Sequence, residues 1–140
     1  MNWYDELLIY AERLPAGMTD PRALQKLRAE EWELRQAIAE GDLLGAIMKA
    51  GDCLYYVAKS AHNEFIHPTN ARLALGNLSR WTGVPASLLL MAAKTKFYLR
   101  AQPGNPQNDT AERAAVAYVI REEAGWRFDE RGAQIWRKTT

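Results

Sequence analysis

The sequence contains a single cysteine, Cys53, and no long apolar run, and its charges of opposite sign nearly cancel. One cysteine excludes an intrachain disulfide and suits a reducing compartment. The longest apolar stretch, residues 84–93, is too short to cross a bilayer, because a spanning helix needs about 20 apolar residues. The first residues also lack the basic and apolar regions of a signal peptide. We therefore expect a soluble, cytoplasmic protein without a membrane partner.

The charge balance also narrows the class of partner. The 140 residues include 18 Lys and Arg against 17 Asp and Glu, without a sustained basic stripe. A protein that tracks duplex nucleic acid needs a basic surface to neutralise phosphates, so we do not expect such a partner. With 48% hydrophobic residues the composition is typical of a globular protein, and the length suits a single domain over residues 1–140.

Apolar residues recur at helical spacing through most of the chain, which predicts an all-α fold of five or six helices. Helix-breaking residues mark the boundaries: Pro15 follows the first helix, Gly41 the second and Gly83 the fourth. The segment after Gly125 is predicted as a small hairpin or, alternatively, as a frayed helix or coil. The predicted helices cover residues 3–14, 21–40, 43–66, 69 to about 83, 85 to beyond 99, and 110–124.

The second and third predicted helices carry charged residues that an antiparallel hairpin would bring together. Glu30 and Asp52 lie equally far from Gly41 in the sequence, and the same holds for Glu33 and Lys49. Glu30 also interrupts an apolar stripe, where a carboxylate needs a charged partner. On each helix one pair is three residues apart and therefore shares a face; these pairs are Glu30 with Glu33 and Lys49 with Asp52.

These residues resemble the signature of the MazG-like all-α nucleotide pyrophosphohydrolases, in which E-x-x-E-L on one helix precedes E-x-x-D on the next. Glu30 and Glu33 match the first pair of acids, and Asp52 matches the last acid. Lys49 departs from the pattern, because the family has a glutamate at that position. The match includes the apolar residues around both pairs and the turn between them, and covers about a quarter of the chain strongly.

The resemblance implies both a fold and a reaction. The fold would be an antiparallel helical hairpin extended to a five- to six-helix bundle. The reaction would be Mg²⁺-dependent hydrolysis of a nucleoside triphosphate to a monophosphate and pyrophosphate. Glu30, Glu33 and Asp52 would be the metal ligands and, with Lys49, the catalytic residues. The family also assembles into dimers or tetramers, so the resemblance implies a homodimer or homotetramer.

Basic and polar residues further along the chain are candidates for substrate binding. Lys96 and Arg100 lie one helical turn apart and resemble the family's basic pair that contacts phosphate. Asn105, Asn108 and Asp109 follow in a segment rich in turn-forming residues, which predicts a loop that closes over the nucleotide. Ordinary exposed helix charges would produce the same spacing at positions 96 and 100, so this alternative stays open.

Lys49 leaves three hypotheses open. In the first, the chain is a nucleoside triphosphate pyrophosphohydrolase whose activity the lysine weakens. In the second, it is a catalytically degenerate protein that binds nucleotide or serves as a helical assembly module. In the third, it is a helical interaction protein in which the acidic residues between the two helices are purely structural, for example in a Glu33–Lys49 ion pair.

Overall fold

The periodic apolar faces form six helices and one short strand pair in the computed structural model, which describes residues 2–104, 108–128 and 135–137. The prediction of an all-α fold with five or six helices is confirmed. None of the helices in these ranges is long and apolar enough to span a bilayer. The elements are α1 (Trp3–Ala11), α2 (Ala23–Ala39), α3 (Leu43–His62), α4 (Pro68–Thr82), α5 (Ala86–Arg100), α6 (Asp109–Glu122), β1 (Trp126–Phe128) and β2 (Ile135–Arg137).

The predicted hairpin forms between α2 and α3, which pack against each other more extensively than any other two elements. Gly41 follows α2 with a φ of 74°, a left-handed conformation that favours glycine. Asp42 then caps α3, because its Oδ1 accepts a hydrogen bond from the Gly45 N–H at 2.9 Å. Arg113 of α6 donates to both oxygens of the same carboxylate, at 2.8 and 3.2 Å, so α6 is tied to this turn.

Helix α3 lies at the centre of the bundle and contacts each of the other five helices. Its residues Ile47 and Leu54 are fully buried in the core. Gly51 allows a close approach to α5, because a Cβ at this position would lie only 3.2 Å from the Ala93 Cα. The missing side chain therefore sets the distance between the two helices at the point where Asp52 faces α5.

Helices α1 and α3 end three and four residues earlier than the sequence predicts, whereas α2 (Ala23–Ala39) and α6 (Asp109–Glu122) differ from their predicted bounds by one or two residues. Helix α1 ends at Ala11, short of the predicted residue 14, because the N–H groups of Arg13 and Leu14 bond to the carbonyls three residues back and form tighter turns. Helix α3 ends at His62 instead of continuing to residue 66. The reason is Glu64, which adopts a left-handed conformation with a φ of 62° and so cannot continue the helix.

Residues 126–128 and 135–137 form an antiparallel strand pair, which agrees with the hairpin alternative for the segment after Gly125, and the residues between the strands lie outside the described ranges. Strands β1 and β2 pair antiparallel, with Trp126 opposite Arg137 and Phe128 opposite Ile135. Strand β1 also packs against α6, which joins this pair to the bundle.

A buried ion pair joins the connection before α2 to the end of α3. The Asp20 carboxylate accepts hydrogen bonds from Lys26 Nζ at 2.9 Å and from Lys59 Nζ at 3.1 Å. Only 3% of Asp20 and 1% of Lys59 is exposed. Burial alone would raise the pKa of Asp20, but hydrogen bonds from Lys26, the Arg22 N–H and Lys59 lower it to about 2. The carboxylate therefore stays ionised and balances the buried ammonium.

Replacing Asp20 with asparagine is expected to destabilise the protein by about 3–5 kcal/mol, because Lys59 would remain buried without a carboxylate. Urea denaturation at neutral pH measures the change. Because the pKa of Asp20 falls from 3.8 to about 2 on folding, its contribution is present above about pH 3.8 and lost as the pH falls toward 2. The Asp20→Asn variant should lack this acid-sensitive component.

The control is Glu40→Gln, which neutralises an exposed carboxylate and should change the stability by less than about 0.5 kcal/mol. Equal urea midpoints for the two variants would show that Asp20 does not anchor α3.

Candidate functional site

Three carboxylates from α2 and α3 surround the ammonium group of Lys49. Its Nζ lies 3.1 Å from Glu33 Oε2, 3.7 Å from Glu30 Oε2 and 3.8 Å from Asp52 Oδ2. We call Glu30, Glu33 and Asp52 the carboxylate cluster. The hairpin thus brings together the four charged residues that lie symmetrically about its turn in the sequence.

Glu30 and Glu33 differ in protonation because their surroundings differ. Burial raises the pKa of Glu30 to about 8, and the negative charge of Asp52 and a hydrogen bond with Glu33 act in the same direction. The hydrogen bond with Glu30 lowers the pKa of Glu33, and Lys49 lowers it further. Glu30 therefore takes up a proton at a higher pH than Glu33 does.

Lys49 is a permanent cation within the cluster. Burial alone would lower the pKa of its ammonium, but the nearby Asp52, Glu30 and Glu33 carboxylates raise it above its ordinary value. The side chain is 36% exposed, so a ligand from solution can also reach it. Lys49 is thus both the counterion of the cluster and an accessible positive charge.

Asp52 has a second cationic neighbour in Lys96 of α5. Lys96 Nζ lies 2.6 Å from Asp52 Oδ1, and both side chains are almost completely buried. A buried ammonium needs such a partner, because removal from water is costly for an isolated charge. Lys96, which the sequence predicts as a phosphate ligand, is therefore bound to the carboxylate cluster in this structure.

Arg100 lies one turn beyond Lys96 and is held by α6. Its Nε and Nη2 donate to the two oxygens of Glu112, at 2.8 and 3.1 Å, and Glu112 is only 3% exposed. Such a two-point contact fixes the plane of the guanidinium. Glu112 was not predicted as a site residue, because its partner lies on another helix and local spacing carries no sign of it.

The predicted substrate loop contains residues with different roles. Asn105 lies outside the described residues. Asn108 caps α6, because its Oδ1 accepts a hydrogen bond from the Ala111 N–H at 3.1 Å. Asp109 begins α6, and its exposed carboxylate lies 4.0 Å from the Arg100 guanidinium. The part of this segment that the structure describes is thus the start of a helix.

A cavity of about 310 Å³ opens beside the carboxylate cluster, and we call it the cluster cavity. Glu33, Lys49 and Lys96 form part of its wall, so a ligand in the cavity would meet the cluster from outside. Trp32 and Arg113 also line it, and Trp32 is 62% exposed. Neither was predicted as a site residue. Trp32 lies between Glu30 and Glu33 in the sequence, and this position could have indicated a ring beside the carboxylates.

The carboxylate cluster matches Mg²⁺ in ligand type, because the ion prefers oxygen ligands. However, the Lys49 ammonium lies within 3.8 Å of all three carboxylates, where a shared cation would bind. Within residues 2–104, 108–128 and 135–137, no group of three Asp, Glu, His or Cys side chains is placed to hold a metal ion. The residues as arranged do not fit Mg²⁺, and magnesium binding stays a prediction that requires Lys49 to move.

Comparison with known proteins gives no independent assignment. No family model, no curated protein and no solved structure matches this chain. The resemblance to the MazG-like proteins therefore rests on Glu30, Glu33, Asp52 and the residues around them, and function has to be inferred from the geometry of the cluster.

Replacing Glu112 with glutamine is expected to lower the stability by about 2 kcal/mol, because Arg100 would keep its charge in a largely buried position without a carboxylate. Thermal and urea unfolding measure the loss. The matched control is Glu122→Gln, since Glu122 pairs with Arg121 at 3.1 Å where both side chains are about half exposed. That change should cost less than about 0.5 kcal/mol, because exposed pairs contribute little. Equal losses would contradict a special role for the Arg100–Glu112 contact.

Proposed function

We propose that this chain is a MazG-like helical protein that binds a nucleoside triphosphate in the cluster cavity and hydrolyses it slowly at most. The observation that carries the proposal is the position of Lys49, whose ammonium contacts all three carboxylates of the cluster. In the family that the sequence resembles, a fourth carboxylate takes this position and a divalent cation neutralises the group. Here a side chain of the protein supplies the positive charge.

The charges of the site support nucleotide binding and argue against strong cation binding. The carboxylates of Glu33 and Asp52 face two ammonium groups, those of Lys49 and Lys96. Glu30 adds little negative charge there, because burial raises its pKa to about 8. The cluster is therefore close to neutral, so it attracts a divalent cation only weakly and does not strongly repel a triphosphate.

The wall of the cluster cavity offers groups that suit the two parts of a nucleotide. Lys49 and Arg113 are partly exposed cations that can contact phosphate oxygens. Trp32 is an exposed ring on the same wall, and bases stack on such rings with little dependence on sequence. We assign the triphosphate to the side of Lys49 and the base to the side of Trp32.

Replacing Lys49 with glutamate restores the acidic quartet of the resembled family, and we expect it to raise Mg²⁺ affinity and hydrolysis together. The cluster would then hold four carboxylates without a central cation, so the variant should be less stable than the wild type in EDTA. Added MgCl₂ should raise its melting temperature, because a ligand of the native state stabilises it. Pyrophosphate release from a panel of nucleoside triphosphates measures the activity.

The control is Lys94→Glu, which reverses the charge of a lysine of α5 whose exposure, 38%, is similar to that of Lys49 and which pairs with Glu6 outside the cluster. It should show no Mg²⁺-dependent gain. If the wild type turns over at about 1 s⁻¹ or faster and Lys49→Glu slows it, the proposal of weak activity fails and Lys49 is a working catalytic group. If neither protein binds nucleotide, the cluster is a structural ion-pair network.

Assembly into oligomers is the second part of the proposal, and the exposed apolar side chains support it. Trp81 is 40% exposed and lies 5.4 Å from the Arg35 guanidinium of α2. Ile38, also exposed, lines a small groove between α2, α3 and the end of α4. Large apolar groups on a surface favour association. Apart from Trp32, which we assign to the base, the exposed large apolar residues in the described ranges are Ile9, Ile38, Phe65, Leu73, Trp81, Tyr98 and Tyr118.

Multi-angle light scattering at micromolar concentration should give a mass of at least twice the chain mass of 15.9 kDa, as for a homodimer or homotetramer. The physical reason is that association removes these apolar side chains from water. A mass of one chain over the whole concentration range would contradict this part of the proposal and leave the nucleotide part unaffected.

A further inference from the structure

A second cavity, of about 380 Å³, lies where the connection after α1 meets α2, α3 and α5. It shares no lining residue with the cluster cavity, and no acidic side chain lines it. Its walls are instead basic and aromatic, and we call it the basic cavity. The basic side chains are those of Arg13, Lys26, Lys59 and Arg100.

The positive charge of the basic cavity is only partly neutralised. Asp20 is the carboxylate for both Lys26 and Lys59, so one negative charge serves two ammonium groups. Glu112 forms the ion pair with Arg100. Arg13 is exposed and makes no ion pair with another residue of the described ranges. An excess of positive charge therefore faces the cavity.

The buried position of Lys59 shows that this charge is built into the fold. Lys59 is 1% exposed, and an ammonium so far from water is expensive unless paired. Its Nζ lies 5.2 Å from the Tyr55 ring centroid and 5.9 Å from that of Tyr56, which adds cation–π contacts. The lysine therefore forms a fixed positive end of the cavity and is not a mobile surface charge.

Aromatic rings form another part of the wall. Tyr55 stacks on Phe97 with centroids 4.0 Å apart and planes at 13°, and both rings are buried. Tyr56 contacts Tyr55 edge to face at 5.3 Å, and the ammonium groups of Lys26 and Lys59 each lie 5.9 Å from its ring centroid. Its side chain is only partly buried, so the remaining part of the ring is open to a ligand. The Tyr55 hydroxyl is buried without a hydrogen-bond partner in the described part of the chain. Such an unsatisfied group is costly and is common where a ligand or water completes the site.

We propose that the basic cavity binds a small anion joined to a planar ring, namely a nucleoside monophosphate. The phosphate lies among Arg13, Lys26 and Arg100, and the base lies against Tyr56. The volume of about 380 Å³ is at the small end for ligand pockets, which favours one nucleotide over a dinucleotide. The inference does not depend on hydrolysis at the carboxylate cluster, because the two cavities share no lining residue.

The test is calorimetric titration of the full chain in EDTA with nucleoside monophosphates, inorganic phosphate and nucleosides. Monophosphates should bind more tightly than either part alone, and their affinity should fall as NaCl is raised. Arg13→Ala removes an exposed cation without disturbing the core and should weaken monophosphate binding about fivefold or more. Arg28→Ala removes an exposed arginine of α2 outside the cavity and should leave the affinity unchanged.

The Tyr56→Leu variant distinguishes the contribution of the base to binding from that of the phosphate. It should weaken monophosphate binding while leaving the weak affinity for inorganic phosphate as it is, because only the ring contact is lost. Because Tyr56 is partly buried, circular dichroism and thermal melting check that the Tyr56→Leu variant folds. If it does not fold, the Arg13→Ala variant alone tests monophosphate binding in the basic cavity. Equal affinities for phosphate and for monophosphates would overturn the assignment of the ring to Tyr56.

Two further outcomes would overturn the site itself. One is the absence of monophosphate binding at low salt. The other is binding that Arg13→Ala leaves intact but Lys49→Glu changes, since the ligand would then occupy the cluster cavity. The proposed function fails separately, through absent triphosphate binding or through fast wild-type hydrolysis, so each proposal can be rejected without the other.

Discussion

The burial of ionised side chains along α3 is the constraint on which the rest of the arrangement depends. Asp52 and Lys59 lie two turns apart on this helix, and each is at least 96% buried. Neither charge is tolerable without a partner of opposite sign, so the neighbouring elements have to supply one. The α1–α2 connection supplies Asp20 for the lysine, and α5 supplies Lys96 for the aspartate.

These partners also fix the register of the helices, because hydrogen bonds and ion pairs are more selective in position than apolar contacts. Lys49 can meet Glu33 and Glu30 at once only if α2 and α3 are aligned about Gly41 as observed. In the same way the two-point contact of Arg100 with Glu112 holds α6 in one rotation against α5. Apolar burial provides the stability of the bundle, and charge pairing selects one arrangement among several with similar apolar contact.

The sequence was informative wherever the cause of a feature is local. Helix periodicity, the glycine turn at Gly41 and the cap at Asp42 depend on neighbouring residues, and symmetry about the turn predicted the contact of Glu33 with Lys49. The partners of Lys96 and Arg100 could not be predicted in this way, since they depend on how α5 meets α3 and α6.

The basic cavity could not be predicted for the same reason, because its residues come from four separate parts of the chain. The early end of α3 depends on the backbone conformation of Glu64, a residue type that carries no helix-breaking signal.

The close contact of Gly51 with Ala93 has a mechanical consequence for both cavities. Helix α5 carries Lys96 on the wall of the cluster cavity and Arg100 on the wall of the basic cavity, one turn apart. Because a Cβ at Gly51 would lie only 3.2 Å from the Ala93 Cα, the two backbones are close at this point and α5 has little room to approach α3 further. A shift of α5 would displace both cations together. A ligand that repositions α5 from one cavity would therefore change the shape of the other cavity. The effect of each ligand on the binding free energy of the other would then be equal.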